Sequence, residues 1–326
     1  MKAAFIKKTG TPDVIEWGDL PIPDIKDDEV LVKVSAVTVN PIDTYIRSGK
    51  YKQNPPLPQP YIIGRDLVGT VSRVGANVKD FKPGERVWTI SLGAGGKQGS
   101  FAEYAVVSRD FLYHAPKDVA DVDLAAVLLT GATASLGLIR DAMLKSTDTI
   151  FINGGGGSVA SALIQLSKGR GSRVIVSTSG KEKAEWCKSI GADIIYDYKK
   201  DNIQELIKQD APDGVNVFWD TSRTPNFDFA VSLLANKGRL ILIAGAGVEP
   251  PFPVGPFYHK ECTMKGCNTL RANKVELRQC ADVINLCLEK NQLKSKIAKV
   301  LPLSDTATAH ALMESSEVWG KIVLTV

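Results

Sequence analysis

Four consecutive glycines stand in the middle of the chain, at residues 154–157, between a predicted strand and a predicted helix. An apolar run at 149–153 predicts the strand, and the following segment, 158–168, predicts the helix. Read from Gly155, the sequence spells Gly-x-Gly-x-x-Ala. Glycine clusters alone indicate only turns, but a strand–turn–helix setting is the context in which this spacing binds a dinucleotide.

Each position of this turn has a physical role in holding a pyrophosphate. Gly155 permits a tight turn, Gly157 lets the backbone approach the phosphates, and Ala160 is small enough for helix and strand to pack closely. The N–H groups at the start of the helix attract the anion. The residues predicted to bind a dinucleotide are Gly155, Gly156, Gly157, Ser158 and Val159. The alternative is an ordinary flexible loop.

The end of the next predicted strand, residues 173–178, indicates which dinucleotide would fit. NAD-binding folds place an acidic residue there to hold the ribose 2′-hydroxyl, but this chain has Thr178. Ser179, Lys181 and Lys183 follow it. A neutral hydroxyl flanked by cations suits a 2′-phosphate, which a carboxylate would repel. The pattern favours NADPH; the alternative is that both lysines are solvated residues of a helix's first turn.

Alternating strands and helices surround the glycine turn and imply a parallel sheet covered on both faces. The predicted strands are 149–153, 173–178, 193–198, 215–221, 239–244 and 263–267. The predicted helices are 123–143, 158–168, 181–190, 203–209 and 227–235. A further helix after Asn268 is expected to carry Val275, Ile284 and Leu288 on one side.

Short strands dominate the first third of the chain, before the alternation begins near residue 121. They are predicted at 29–37, 69–75, 83–90 and 101–107. Crowded short strands separated by glycine and proline indicate a small barrel or sandwich-like domain. The chain is predicted to end with a strand at 297–301, a helix at 306–313 and a strand at 321–326.

Composition restricts the class of protein. The chain has 326 residues, 44% of them hydrophobic and 23% charged, which is typical of a globular protein with two domains. A net charge of +4 with scattered lysines argues against nucleic acid. Five cysteines without a Cys-x-x-Cys pair indicate reduced thiols in a cytosol. The N-terminus lacks a signal-peptide core, and the longest uncharged stretch, 124–139, is short for a membrane span. We therefore expect a cytoplasmic protein.

Several segments together resemble the medium-chain dehydrogenases/reductases, and within them the zinc-free, zeta-crystallin-like quinone oxidoreductases. The most specific is residues 40–51, Asn-Pro-Ile-Asp-Thr-Tyr-Ile-Arg-Ser-Gly-Lys-Tyr. Supporting segments in the family's order are 64–69, 82–87, 101–104, 191–193, 238–240 and 320–324. The resemblance implies an α/β fold of two domains. One is a GroES-like, β-rich barrel domain for the substrate at 1–122 and 269–326, and the other is a Rossmann domain, a doubly wound parallel sheet binding NADP, at 123–268.

The same resemblance implies further contacts with the cofactor. Lys183 and Tyr198 match positions that hold the 2′-phosphate, and Thr130 matches one near the nicotinamide. The remaining matches to cofactor-binding positions are Ala244, Gly245, Asn268 and Lys321. The sequence departs from the family at Ala160 and Ser158, where glycine is usual, but the fingerprint tolerates alanine in its last place.

Positions that bind catalytic zinc in alcohol-oxidising relatives carry other residues here. They match Asn40, Arg65 or Asp66, and Thr130, which cannot rebuild a tetrahedral Cys/His site. A separate run at 259–267 has one histidine and two cysteines, but a strand there would send the sulfurs to opposite faces. We therefore expect no metal. Without a Lewis acid, hydride transfer to an electron-poor quinone or α,β-unsaturated carbonyl compound (enone) is favoured over alcohol oxidation.

Four residues of the 40–51 segment are candidates for the reaction itself. Tyr51 matches the tyrosine that donates a proton in related enoyl reductases, and Tyr45 is a second phenol able to protonate an enolate. The alternative is that both are aromatic walls of the substrate cleft. Asn40 and Asp43 are candidates for polar contacts with substrate or water. An equal alternative is that Asp43 caps the first turn of a short helix.

The sequence thus predicts a zinc-independent, NADPH-dependent reductase of small quinones or enones. Its rivals are an enoyl-thioester reductase of the same fold and a non-catalytic, crystallin-like NADPH-binding protein. Loops at 52–61 and 92–99 would set the cleft size, so the acceptor stays open. Family members commonly pair edge strands, here 263–267, so a homodimer or homotetramer is expected. Surface or packing positions are expected for the three histidines, His114, His259 and His310.

Overall fold

The computed structural model describes residues 1–51, 55–315 and 317–326. Residues 52–54, part of one expected cleft-rim loop, lie outside them. The chain divides into a first unit, residues 1–129 with 273–326, and a second unit, residues 130–272. The sequence predicts these boundaries a few residues earlier, at 122/123 and 268/269.

In the described residues the strands, numbered in chain order, are β1 Lys2–Ile6, β2 Glu16–Asp19, β3 Glu29–Val39, β4 Tyr61–Ile62, β5 Leu67–Val74, β6 Arg86–Thr89, β7 Tyr104–Ser108, β8 Tyr113–His114, β9 Thr149–Asn153, β10 Arg173–Thr178, β11 Ile194–Asp197, β12 Val215–Asp220, β13 Leu234–Leu242, β14 Thr263–Gly266, β15 Ile297–Pro302 and β16 Lys321–Thr325. The α-helices there are α1 Pro41–Arg47, α2 Asp121–Leu136, α3 Ser158–Gly169, α4 Lys181–Ser189, α5 Ile203–Asp210, α6 Phe227–Leu233, α7 Val254–His259, α8 Lys274–Glu289 and α9 Thr306–Ser315.

The second unit is built on a parallel sheet with strand order β11-β10-β9-β12-β13-β14. The order reverses at β9, since β10 and β11 lie on one side of it and β12 to β14 on the other. Such a reversal leaves a crevice at the carboxyl ends of the strands, where ligands bind in open α/β sheets. The middle of β9 is apolar at consecutive positions, and Ile150, Phe151 and Ile152 are fully buried. This confirms the predicted doubly wound sheet covered on both faces.

The first unit has β3 as its central strand. β3 pairs in antiparallel fashion with β5, β7 and β16, and the larger sheet has the order β15-β16-β3-β5-β6-β8. A smaller sheet has the order β2-β1-β4. Short strands around one apolar core agree with the predicted β-rich domain. The α1 helix follows β3 directly, so the end of this central strand fixes where α1 begins.

Two local predictions are wrong. Val275 is 61% exposed, although Ile284 and Leu288 are buried in the core as expected. Nine residues separate Val275 from Ile284, which is two and a half helical turns, so the two side chains lie on opposite faces. Between the predicted strands at 239–244 and 263–267 the sequence predicts no helix, but the structure has α7 there, with Pro256 in its first turn, where a missing N–H costs no helical hydrogen bond.

The long apolar helix α2 continues as a π-helical turn over Gly137–Asp141. By length and composition alone, Asp121–Asp141 could cross a membrane, although 78% of its most apolar window is buried inside the protein. Within the second unit, a Cβ on Gly137 would lie 2.1 Å from the Trp219 ring, so this part of the helix packs closely on β12. Such packing is that of a core helix.

Candidate cofactor site and buried polar cluster

The glycine turn lies between β9 and α3, as the sequence predicts. The tight turn itself falls at Gly154, which has a φ of +94°, and not at Gly155 as predicted. Only glycine adopts such a φ without strain. Gly155 is required for a different reason, because a Cβ built there would lie 1.8 Å from Val176 Cγ1 on β10.

The other two glycines differ in the space around them. A Cβ on Gly156 would lie 2.8 Å from Lys183 Cδ, whereas on exposed Gly157 the nearest atom would be Gly154 O at 3.8 Å. The open side of Gly157 is therefore available to a ligand. Gly157 is also the N-cap of α3, so the first N–H groups of the helix begin beside this opening. A dinucleotide pyrophosphate fits this cradle by shape and by polarity.

Polar side chains at the ends of neighbouring strands fix the turn in place. Ser177 O accepts from Gly155 N–H at 2.7 Å, and Ser177 Oγ accepts from Gly154 N–H at 3.2 Å. Ser177 Oγ donates to Asn153 Oδ1 at 2.9 Å, and Asn153 Nδ2 donates to Asp220 Oδ1 at 3.1 Å. Sequence reasoning missed this network, although polar residues ending apolar strands are a recognisable signal.

The group predicted for the 2′-phosphate gathers at the ends of β10 and β11, where Thr178 pairs with Asp197. Ser179 Oγ donates to Tyr198 Oη at 3.1 Å, and the Tyr198 side chain is 51% exposed. The stem of Lys183 lies against the glycine turn. Thr178 is only 3% exposed, so its side chain packs beside the turn, and Ser179, Lys183 and Tyr198 offer the more accessible polar atoms.

Other predicted cofactor residues also follow carboxyl ends of the sheet. Ala244 is exposed and Gly245 has a φ of +98°, both just after β13. Asn268 follows β14, and its Oδ1 accepts from Leu270 N–H at 2.9 Å. Thr130 is 8% exposed within α2, and Lys321 begins β16 in the first unit. Within the second unit, the glycine turn and the predicted residues after β10, β11, β13 and β14 all follow the carboxyl ends of strands of the parallel sheet.

The start of α1 in the first unit is held by Asn40 and Asp43. The N–H of Asn40 donates to Asp43 Oδ2 at 2.8 Å, so Asp43 closes the first turn, as one of its two interpretations expected. Asp43 is 1% exposed, and within the described ranges its Oδ1 has no hydrogen-bond partner. Burial, together with the nearby Asp66 carboxylate, raises the pKa of Asp43 to about 7.

The amide of Asn40 is engaged on both sides. Its Oδ1 accepts from Lys321 Nζ at 2.6 Å, and its Nδ2 donates to Asp66 Oδ2 at 2.9 Å. The other carboxylate oxygen, Asp66 Oδ1, accepts from Thr38 N–H at 2.7 Å. Lys321 is 3% exposed, and burial lowers the pKa of its ammonium group. The polar cluster, Thr38, Asn40, Asp43, Asp66 and Lys321, is therefore buried and internally hydrogen-bonded.

The residues that match zinc-binding positions already have other partners. Asn40 is held by Lys321 and Asp66, and the buried Arg65 donates to the carbonyls of Ile90 and Leu92 at 3.1 and 3.0 Å. Among the residues that the structure describes, none form a group of three or more His, Cys, Asp or Glu side chains able to hold a metal. These donor groups do not fit a tetrahedral zinc site.

The two candidate tyrosines lie at and just beyond α1. Tyr45 is half-buried within the helix, and Tyr51 follows it, with its N–H donating to Tyr45 O at 3.0 Å. Tyr51 packs partly buried against the core of the first unit. Aromatic wall and proton donor are both compatible with this placement.

Comparison with known proteins identifies the family. Residues 26–117 match the family model "Alcohol dehydrogenase GroES-like domain", and residues 158–285 match "Zinc-binding dehydrogenase". The chain is 32% identical to a quinone oxidoreductase of Sus scrofa, over 99% of this chain and 97% of that protein. It is also 32% identical to the chloroplastic NADPH-dependent alkenal/one oxidoreductase of Arabidopsis thaliana, over 99% of this chain and 79% of that protein.

Solved structures agree with this fold. A mycobacterial protein complexed with NADPH has a TM-score of 0.87 and 29% identity, with complete coverage of both chains. An NAD-dependent alcohol dehydrogenase has a TM-score of 0.91 and 28% identity, again with 100% of both chains covered. The chain therefore belongs to the medium-chain dehydrogenase/reductase superfamily, in its zeta-crystallin-like quinone oxidoreductase branch. The predicted fold class, a Rossmann domain with a GroES-like domain, is confirmed.

Proposed function

We propose that the protein is an NADPH-dependent, zinc-independent reductase of small quinones or enones. The proposal depends on one observation at the carboxyl ends of β9, β10 and β11. There the open glycine turn lies beside Ser179, Lys183 and Tyr198, and β10 ends in the neutral Thr178 instead of an acidic residue. The names of the pig and plant relatives, quinone oxidoreductase and alkenal/one oxidoreductase, support the acceptor class. The bound nicotinamide would supply the hydride.

The residues of the second unit would bind and orient the coenzyme. N–H groups at residues 156–159 would hold the pyrophosphate, and Lys183 with Ser179 and Tyr198 would hold the 2′-phosphate. Backbone groups at Ala244, Gly245 and Asn268 would hold the carboxamide, with Thr130 near the nicotinamide. Lys321 is also proposed as a coenzyme contact; its ammonium group donates to Asn40 Oδ1 within the first unit.

The residues of the first unit would serve the acceptor. Tyr51, with Tyr45 as the second candidate, would donate the proton that completes reduction of an enone. Asn40 and Asp43 are proposed to act by holding the start of α1. The Asn40 N–H donates to Asp43, and the Asn40 side chain bonds to Asp66 and Lys321. Metal chemistry is not part of the proposal, because Asn40 and Arg65 have donor groups and partners unsuited to zinc.

Coenzyme choice is tested by titrating the protein with NADPH and NADH. Replacing Thr178 with aspartate should lower the affinity for NADPH by roughly tenfold relative to that for NADH, because a carboxylate repels the 2′-phosphate. Thr178→Ser keeps a neutral hydroxyl group at this position and serves as the control. Since Thr178 is buried, thermal melting should be recorded for both variants. An unchanged NADPH-to-NADH preference in folded Thr178→Asp would contradict the assignment.

The acceptor is tested by following NADPH oxidation with 1,2-naphthoquinone, an alkenal and crotonyl-CoA. Turnover of the quinone or the alkenal is the expected result. Turnover of crotonyl-CoA alone would replace this proposal with an enoyl-thioester reductase. Tight NADPH binding without turnover of any acceptor would indicate a non-catalytic binding protein.

A homodimer or homotetramer in the cytoplasm is proposed for the assembly. β14 is the edge strand of the parallel sheet, and its residues Thr263–Gly266 are exposed. Unpaired edge strands are ready to pair with a second copy. Light scattering of the purified protein would measure the number of subunits, and a monomer at micromolar concentration would contradict this proposal.

A further inference from the structure

Helix α4 contacts the glycine turn through a buried thiol. Cys187 Sγ donates to the carbonyl of Gly155 at 3.3 Å, and Cys187 is fully buried. Burial raises the pKa of the Cys187 thiol to about 11, so the group stays a donor at neutral pH. In a trans peptide the C=O and N–H bonds point in opposite directions. The carbonyl held by Cys187 therefore turns the N–H of Gly156 away from α4.

A second contact runs from α4 through Ser161 of α3. Ser161 donates to the carbonyl of Gly157 twice, from its N–H at 2.9 Å and from its Oγ at 3.1 Å. Trp186 Nε1 donates to the same Ser161 Oγ at 2.8 Å, which leaves the hydroxyl proton for the carbonyl. By the same peptide geometry, this arrangement directs the N–H of Ser158 outward at the start of α3.

These two N–H groups, of Gly156 and Ser158, lie where the fingerprint offers donors to a pyrophosphate. We propose that Cys187 and Trp186 are positioning residues for the coenzyme pyrophosphate, acting by orienting the peptide planes of the glycine turn. This inference rests on the proposed binding of a nicotinamide dinucleotide.

Helix α4 would then have two separable tasks. Lys183, at its start, would recognise the 2′-phosphate that distinguishes NADPH from NADH. Cys187 and Trp186, one turn later, support the pyrophosphate region that both coenzymes share. Changes at these two groups of residues should therefore have different signatures with the two coenzymes.

The test measures dissociation constants and KM for NADPH and NADH in Cys187→Ala, Trp186→Phe and Ser161→Ala. Each variant should raise the dissociation constants of both coenzymes by about the same factor, roughly threefold to tenfold for one lost hydrogen bond, with kcat unchanged. Lys183→Ala should lower the affinity for NADPH and leave the affinity for NADH unchanged. Cys187→Ser, which keeps a donor, should recover part of the affinity lost in Cys187→Ala.

Two controls separate positioning from general loss of packing. Ser167 lies on α3, fully buried, and in the described parts of the chain its Oγ has no hydrogen-bond partner. Ser167→Ala should leave both dissociation constants unchanged. Cys280 is a buried cysteine of α8 in the first unit, so Cys280→Ala should lower the melting temperature without changing coenzyme affinity.

The outcomes distinguish this inference from the proposed function. If the wild-type protein binds neither coenzyme, the proposed function itself is wrong. If the wild-type protein binds NADPH but Cys187→Ala and Ser161→Ala bind it equally well, the positioning role is wrong. Weakening confined to NADPH would also overturn it, because the variants would then act through the 2′-phosphate. Ser161→Ala removes one oxygen only, so it keeps the test available if Cys187→Ala does not fold.

Discussion

Alanine substitutions at Gly155 and Gly157 should separate the folding of the glycine turn from its ability to bind a dinucleotide. A Cβ on Gly155 would lie 1.8 Å from Val176 Cγ1, whereas carbon atoms in contact are normally about 3.5–4.0 Å apart. The turn or β10 must therefore move by about 2 Å. Overpacking of this kind costs about 1–3 kcal/mol, which corresponds to a melting temperature lower by roughly 3–9 °C.

Gly157→Ala should behave differently, because the nearest atom to its Cβ would be 3.8 Å away and its φ of −82° suits alanine. Loss of a favoured N-cap glycine and a less flexible unfolded chain have opposite effects on stability, so melting should change little. The new methyl group would occupy the side open to the pyrophosphate. We expect NADPH affinity to fall by roughly tenfold or more.

The assay combines thermal melting without coenzyme and fluorescence titration with NADPH. Gly169→Ala, at the far end of α3 with nothing within 4 Å of its Cβ, is the matched control. It should bind NADPH like the wild-type protein and melt no lower, because alanine is favoured over glycine in a helix. Normal melting together with wild-type NADPH affinity in Gly157→Ala would contradict the predicted binding role of Gly157. Melting of Gly155→Ala at the wild-type temperature would contradict the predicted clash with Val176.

Three further predictions concern the first unit and the metal. Lys321→Met should lower the melting temperature without coenzyme, because losing one partner of a buried charged cluster costs about 3–5 kcal/mol; weaker NADPH binding with unchanged melting would contradict this. Burial, with Arg47 nearby, lowers the pKa of His310 to about 3 from 6.5. The stability linked to a neutral His310 is therefore complete above pH 6.5 and is lost as the pH falls toward 3, so melting of His310→Phe should depend less on pH in that window. The raised pKa of Asp43 acts in the opposite direction, but the wild-type protein and His310→Phe share it. Melting temperatures that change with pH in parallel in these two proteins would contradict the role given to neutral His310. Elemental analysis should find less than stoichiometric zinc, and a chelator should leave activity unchanged; loss of activity on chelation would overturn the zinc-independent proposal.

Local sequence signals predicted the elements around the cofactor site well. The strands at 149–153 and 173–178 have the same bounds in the structure as in the prediction, because each is a short apolar run that ends in a turn. The glycine run placed the turn correctly between strand and helix. The role of its members was less readable, since the positive φ of Gly154 and the contact of Gly155 with Val176 depend on the neighbouring strand.

The buried polar cluster was only partly predictable. The sequence pointed to Asn40 and Asp43, and helix capping was one of two interpretations for Asp43. Lys321 bonds to Asn40 across 281 positions of the chain, whereas the family resemblance implies only a contact of Lys321 with the coenzyme. The prediction that Val275 lies beside Ile284 and Leu288 is wrong for a related reason, because counting apolar residues does not establish which face of α8 meets the core.

By itself the sequence determined the succession of strands and helices, the position of the glycine turn and the neutral residue at the end of β10, because these depend on backbone preferences and on short-range periodicity. Only the tertiary structure decided that Cys187 bonds to Gly155 and Trp186 to Ser161, that Lys321 bonds to Asn40, and that β9 marks the reversal of the sheet. These contacts join residues distant in the chain. Burial, hydrogen bonding and pKa values follow from such neighbours, which no local pattern specifies.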